Sequence, residues 1–440
     1  MRKIISVALT AVMLLSLLSF GFSAAANAVS VIAADFSTRS YDTLAAALAD
    51  YKAGETLTLN DDITEDVTFP ADAELEGNGH TLNGQIVVKA ADGLTNTYVT
   101  VRNLKINNTA GAEKGAVSLQ STCRVQIENC EITSKDFAIF PLDNKAPDSE
   151  ITVKNCTLNA GKNSQVFYAK DSQTWNLEDC VLTSPEQTDR ASIQTKGSGA
   201  KVTLKNCTVS NNCKFCIACQ VDTDEFTLIG GSFTTTGGEN PTIRVAGKLT
   251  IDGTAVKSTV TNAISTYSSV AAIDIQNATV EYAGGGPVSA VDASNGSVEI
   301  HSGVFKSNGK VAIVSGPAAF VYSATFENTG DNDIKAFETG RTGELEVIEF
   351  PTGQKTVTVQ DRVKPETTPA PETTRKPVTT KDPSETKKPV QTQAPATATA
   401  AAAPGDTVSI PEKSGCGSAA SLIAVAVLAL GMTEIIRKKD

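Results

Sequence analysis

Apolar and polar residues alternate in short runs along most of this chain, and each run ends in a turn residue. Val202, Leu204 and Val209, for example, are interleaved with Lys205 and Thr208. A period of two marks half-buried strands rather than helices. The same phrase returns as TVRNLKIN around Asn103, QIENCEIT around Asn129, TVKNCTLN around Asn155, NLEDCVLT around Asp179 and TLKNCTVS around Asn206. It continues around Gly230, Gly253, Asn277, Ser302 and Ser323. Successive anchors lie 26, 26, 24, 27, 24, 23, 24, 25 and 21 residues apart, and a near-constant step of this size means stacked repeats.

About 24 residues hold three short strands and three turns, with no room for a crossover helix. A full turn of a solenoid supplies the long connection that parallel pairing needs. The spacing therefore predicts an all-β chain folded as a right-handed parallel β-helix of about ten coils, each pairing with the next at about 4.8 Å. Such a rod is about 45–50 Å long. Asn, Asp and Gly at the anchors suit a left-handed bend, and stacked amides there hydrogen-bond from coil to coil.

An open end of such a stack needs cover. Residues 40–54, SYDTLAAALADYKAG, fit a short capping helix. Asp42 or Ser40 can cap it, Leu44, Leu48 and Tyr51 form one face, and Gly54 stops it. Asn78 sits 25 residues before Asn103, as a first coil anchor should. The succession of KAGETLTL, LEGNGHTLNG and Asn-Cys coils resembles the pectin-lyase-like superfamily of right-handed parallel β-helix proteins. The resemblance covers residues 36–360 and implies the fold more than an activity, because that superfamily holds lyases, hydrolases, adhesins and inert spacers.

The ends point to the cell surface. Residues 1–28 read as a secretory signal peptide: Arg2 and Lys3, an apolar run from Ile4 to Phe22, then Ala26-Asn27-Ala28 as a cleavage site. Residues 364–407 are rich in Pro and Thr and read as an extended disordered linker reaching on the order of 130 Å. Ser418 to Ile436 carries a single charge, Glu434, and is long enough for a transmembrane anchor, with a basic cytoplasmic tail at 437–440. The layout resembles Gram-positive surface proteins. It lacks the sortase pattern, since Ile410-Pro411-Glu412-Lys413-Ser414-Gly415 has one residue too many. A membrane-anchored protein is the expectation, with wall attachment the alternative.

The net charge of −11 argues against nucleic acid or an anionic surface as partner. Of nine cysteines, Cys130, Cys156, Cys180 and Cys207 each follow an anchor and should stack in one column. Their parallel side-chain vectors hold Cβ atoms at the long limit for a disulfide, so they read as buried free thiols filling a corner. Cys213-x2-Cys216-x2-Cys219 matches part of an iron–sulfur run. On a strand, however, residues three apart face opposite sides, and counting back from Gly230 puts Ile217, Cys219 and Val221 inward and Cys216 outward. Cys123 has no evident partner, and Cys416 sits at the membrane edge.

Chemistry is sparse. Hydrolysis by a β-helix needs paired carboxylates, whereas the one Asp-Asp pair, Asp61-Asp62, precedes the coils and His80 lies in a turn. The other histidine is His301, and Arg362-Val363-Lys364 falls at the linker edge. Arg102, Arg124, Arg190, Arg244 and Arg341 sit in no lyase motif. Asp222, Asp224 and Glu225, or Asp331 and Asp333, could ligate calcium or simply be solvated turns. Trp175 reads as core before sugar platform, with Val166 and Tyr168 inward. Tyr267, Tyr282 and Tyr322 fall in different coils, and Gly284-Gly285-Gly286 is a turn. No catalytic or cofactor-binding residue is assigned, and the metal question stays open. The expectation is a non-catalytic surface β-helix, an adhesin or glycan- or protein-binding stalk. The alternatives are a tethered polysaccharide lyase or glycoside hydrolase and a structural spacer.

Overall fold

The computed structural model describes residues 27–364, except 92–95, 110–114, 162–163, 185–189, 213 and 342–343. The signal-peptide reading up to residue 26, Cys213, Cys416, the linker from residue 365 onward, the span 418–436 and the tail 437–440 lie outside the described residues. No helix among the described residues is long and apolar enough to cross a membrane.

The chain winds through three sheets in turn, here sheets A, B and C, of 14, 12 and 13 strands. Coil-to-coil pairing is parallel and in register. Val153 on sheet A, for instance, lies between Ile127 and Leu177, and Leu158 on sheet B between Ile132 and Leu182. On sheet C, Ile193 lies between Phe167 and Ile217. Each apolar position of the repeat thus becomes a column inside the rod. On sheet A it runs Leu75, Val101, Ile127, Val153, Leu177, Leu204, Leu228, Ile251, Ile275, Ile300 and Val321, every member buried. One continuous core results, because strict alternation puts one side chain in two on the inside.

The bend between sheets A and B is made where the repeat places its anchor. Asn78, Asn103, Asn129, Asn155, Asp179, Asn206 and Asn277 have φ from 50° to 54°, and Gly230 and Gly253 have 62° and 68°. These residue types visit left-handed backbone at the least steric cost. The anchor amides form a partial ladder: Asn129 Nδ2 donates to Asn103 Oδ1 and Asn206 Nδ2 to Asp179 Oδ1, both at 3.2 Å. At the last two corners Gly303 takes φ 136° in place of Ser302, and Ser323 turns without a positive φ.

Behind the anchor, Cys130, Cys156, Cys180 and Cys207 are buried and free. Each thiol donates to the carbonyl two residues back, at 3.2, 3.0, 3.2 and 3.4 Å respectively. Thr254, at the same place in a later coil, donates its hydroxyl to Gly230 O at 2.9 Å, and Leu104 and Ala278 fill the place elsewhere, so the position does not call for sulfur. Cys216 departs from the outward facing expected of it. The strand begins only at Ile217 (Ile217–Cys219), so Cys216 turns into the corner against sheet B, with Sγ 3.3 Å from Thr234 O. Burial pushes Cys216 up to about 12 and Cys123 to about 11. An alkylating reagent applied to the native protein should therefore leave all seven described cysteines unmodified, and should modify them all once the chain is unfolded. Rapid native labelling of Cys130 or Cys180, mapped by mass spectrometry, would contradict this packing.

The N-terminal end differs from the sequence expectation in two ways. The helix α1 is six residues long (Leu44–Ala49), not residues 40–54. Its cap is Thr43, whose Oγ1 accepts from Ala46 N at 3.1 Å, while the Glu65 carboxylate accepts from Leu44 N at 2.6 Å. The residues before it form strand β2 (Thr38–Tyr41), because strand β1 (Val29–Ile32) offers an antiparallel edge there and pairs with β3 (Thr56–Leu59) on its other side. At the far end, Thr356–Val359 and Glu344–Ile348 turn back antiparallel on the last coil.

Candidate functional site

Sheet C carries a face of the rod where aromatic, amide and cationic side chains gather. Its outer residues, in register, run Phe140, Tyr168, Gln194, Ala218 and Arg244, on the strands Ile139–Pro141, Phe167–Lys170, Ile193–Lys196, Ile217–Cys219 and Ile243–Val245. Described residues of the connections from sheet B, among them Arg190, Ala191, Lys214 and Phe215, form a wall beside this column. Asn211, 3% exposed, pins that wall from below. Its Nδ2 donates to Phe215 O and Ser192 Oγ, both at 3.1 Å, and its Oδ1 accepts from Lys214 N at 3.0 Å.

Between wall and sheet lies a pocket of about 360 Å³ lined by Arg190, Ala191, Gln194, Lys214, Phe215, Ala218, Gln220, Asn240 and Arg244. At its heart the Arg244 guanidinium sits between two rings, 4.5 Å from the Phe215 centroid and 4.3 Å from that of Tyr267. Two rings thus stand against the guanidinium, and its Nε is buried without a hydrogen-bond partner. Among the described residues Arg244 has no carboxylate to pair with, so an arginine is held rigid and unneutralised. Its planar edge is suited to a bidentate acceptor.

An amide chain extends the site along the rod. Gln194 donates to Gln220 Oε1 at 2.8 Å, and Gln165 donates to Gln194 Oε1 at 2.9 Å and to Tyr168 Oη at 3.2 Å. Gln165 is fully buried and its Oε1 has no partner. Beyond it the Phe137 ring packs against Phe140 and Tyr168, with centroids 4.5 and 5.4 Å away. Lys170 lies under these rings, 4.8 Å from the Phe140 centroid, and bonds to Pro141 O at 3.0 Å and to the Asp143 carboxylate, holding that carboxyl below its usual range. From Phe140 to Tyr267 these residues are spread across six strands, on the order of 24 Å.

The residues singled out from sequence are distributed otherwise. Trp175 is core: it is fully buried, stacks on Phe167 at 4.2 Å and 12°, and donates to Gln173 Oε1 at 3.1 Å. Val166, Phe167 and Ala169 all belong to the interior core, Val166 at the corner just before the strand, whereas Tyr168, expected inward, points outward and is covered from the outer side, with its hydroxyl accepting from Gln165 Nε2 at 3.2 Å. Asp222, Asp224 and Glu225 diverge: Asp224 is fully buried while the other two are exposed. Asp331 pairs with Lys355 at 2.8 Å, and His80 lies 3.5 Å from Asp62. Arg102 and Arg124 belong to ion pairs across coils, with Glu74 and Glu150. Tyr282 is core, and its hydroxyl accepts from Gly286 N at 2.8 Å within the glycine turn. Among the described residues no three His, Cys, Asp or Glu side chains converge as a metal site.

A second cluster forms where none was expected. Arg362 pairs with Glu346 on the strand Glu344–Ile348 of sheet C, and Lys364 with Glu299 on sheet A. Tyr322 donates to Glu299 Oε2 at 3.2 Å and stacks on His301, whose Nε2 is 3.3 Å from Asp274 Oδ2. Glu346 and Glu299 are thereby each paired with a cation. Lys364 accordingly holds Glu299 below its usual range. The cluster fastens the chain's exit from the rod.

Among the described residues, Asp224 is a buried carboxylate with one oxygen lacking a hydrogen-bond partner. Its Oδ1 accepts from Ala200 N at 3.0 Å, while Oδ2 has no partner, and burial raises its pKa. A group whose pKa is raised on folding stabilises the fold below its unfolded pKa, and that contribution is lost as pH rises through the folded value. Asp224→Asn keeps the Ala200 bond and removes the charge. It should raise stability at pH 7 by about 1 kcal/mol and leave it unchanged at pH 3. Unfolding curves at the two pH values check this, and an equal loss at both would contradict it.

Comparison with known proteins bears on the fold. A family model described as the right handed beta helix region matches residues 86–223. No curated protein and no solved structure matches the chain. With the parallel coil-to-coil pairing above, the chain has the right-handed β-helix fold.

Proposed function

We propose that this chain is a non-catalytic, surface-displayed β-helix that holds an extended anionic carbohydrate along the groove of sheet C. The observation that carries the reading is Arg244, clamped between Phe215 and Tyr267 with its Nε unpartnered. Aromatic faces, a run of glutamine amides and a fixed guanidinium are the groups that grip sugar rings, hydroxyls and a carboxylate. The net charge of −11 argued against anionic partners, but an average over all faces does not describe one groove. Arg190, Lys214 and Arg244 gather at this pocket, and its described lining holds no acidic side chain.

Display outside the cell rests on the leader-like residues 1–28, the Pro/Thr-rich stretch 364–407 and the apolar span 418–436. On this reading α1 and the β1–β2 hairpin cap the rod's N-terminal end, and the rod is carried on the linker. A tethered lyase or hydrolase would have to work in the same groove, where the described lining supplies cations and amides rather than paired carboxylates.

The test is an array of neutral, carboxylated and sulfated glycans probed with the purified protein. Retention of anionic glycans is expected, with binding at least ~10-fold weaker for Arg244→Ala at an unchanged melting temperature. Release of unsaturated, ultraviolet-absorbing products from a polyuronate would move the protein to the lyase class. Silence across the whole array would leave the spacer reading.

A further inference from the structure

The first ordered strand places the cut that frees this chain from its leader. Two small-residue tripeptides compete there: Ala26-Asn27-Ala28, which would leave Val29 as the first residue, and Ala24-Ala25-Ala26, which would leave Asn27. The sequence reading takes the first, with residues 1–28 as the leader, although both tripeptides carry the small residues that such a cut needs.

Val29 has no exposed surface, and it pairs with Tyr41 on one side and Leu59 on the other. The two residues before it are already part of the fold. Ala28 O accepts from Asn60 N at 2.8 Å, and Asn27 O accepts from Asn60 Nδ2 at 2.9 Å. The same Asn60 amide also reaches Ser30 Oγ at 2.8 Å. A cut after Ala28 removes both carbonyl acceptors. It also creates an ammonium on a fully buried residue between two strands, where desolvation of a charge is costly. A cut after Ala26 keeps both acceptors and puts the new charge one residue beyond the first of them.

We infer that processing occurs between Ala26 and Asn27, so that Asn27 and Ala28 remain as the terminal clasp on Asn60. This rests on the exported reading proposed above. Hydrolysis of the Ala26–Asn27 peptide bond by water leaves a carboxylate on the leader and an ammonium on Asn27. The clasp also explains why the sheet begins earlier than residue 36: β1 is held at its start by Asn60, not by its own short length.

N-terminal sequencing of the chain recovered from outside the producing cells decides the matter. A terminus at Asn27 is expected, whereas an exported chain beginning at Val29 or later overturns the inference and leaves the exported reading intact. A full-length chain retained inside the cell overturns both. As an independent measurement, full chains beginning at Asn27 and at Val29 are compared by thermal unfolding. The Val29 form should melt several degrees lower, and Asn60→Ala should lower the Asn27 form while barely changing the Val29 form. Equal melting of the two forms contradicts the physical argument.

Discussion

Replacing Gly247 with valine should destabilise the rod by at least about 3 kcal/mol. Gly247 lies at the corner between sheets C and A, and its φ is unexceptional, so the argument is one of space. A Cβ there would stand 2.2 Å from Asp224 O, 2.8 Å from Val221 O and 3.1 Å from Asp222 O. All three are backbone atoms of the preceding coil and cannot rotate aside. Asp224 O is also the acceptor for Lys248 N at 2.9 Å, and Gly247 O accepts from Ala272 N at 3.0 Å. Relief of the overlap would therefore widen the spacing on both sides of the coil and break ladder bonds in each direction. In a quasi-linear stack such damage interrupts the nearest-neighbour coupling that stability depends on. Denaturant unfolding reads the loss, and a change under 1 kcal/mol would mean that the coils are not packed this closely.

Trp175→Ala should cost about 3–5 kcal/mol. The indole is fully buried, lies flat against Phe167 and spends its one donor on Gln173. Its neighbours in register, Ile151 and Val202, belong to the rigid sheet A ladder and cannot collapse into the space left behind. Trp175→Phe keeps the stack and should lose less than half as much. As the only tryptophan, Trp175 reports on its own coil by fluorescence. Native emission should be that of an apolar site and should shift to longer wavelength in the same transition that backbone signals follow. An exposed-type emission in the folded protein would contradict the placement.

These two residues show how legible each layer was. The corner between sheets A and B is nearly constant in length: from Asn103 through Gly253 the anchor follows the last strand residue of A at once, and one further residue precedes B. Asn78 through Asn277 could therefore be placed in left-handed backbone from spacing alone. The path from anchor to sheet C has no fixed length: 11 residues from Asn129 to Phe140, 13 from Asn155 to Tyr168 and 15 from Asp179 to Gln194. Counting along the repeat loses phase across these connections. For that reason the count places Tyr168 inward, whereas Cys216, reached by counting back from Gly230, is misplaced because it stands in the corner before the strand Ile217–Cys219 and not on it.

The groove was hidden by the same variability, because its wall is the variable segment. Arg190, Lys214, Phe215 and Arg244 are scattered over 55 positions and share no motif. The parallel ladder brings them side by side. The cysteine column, by contrast, was readable because it sits directly behind the fixed anchor.

The central claim is that a rigid, unneutralised Arg244 between two aromatic rings grips an acidic sugar. Calorimetric titration of the purified protein with an oligogalacturonate tests it most directly, using wild type, Arg244→Ala and Arg244→Lys. Saturable binding by wild type is expected, with affinity at least ~10-fold weaker in both variants because lysine lacks the planar fork, and with binding weakened further by added salt. Equal affinity in all three proteins, or binding to neutral dextran as strong as to the acidic oligomer, would contradict the account.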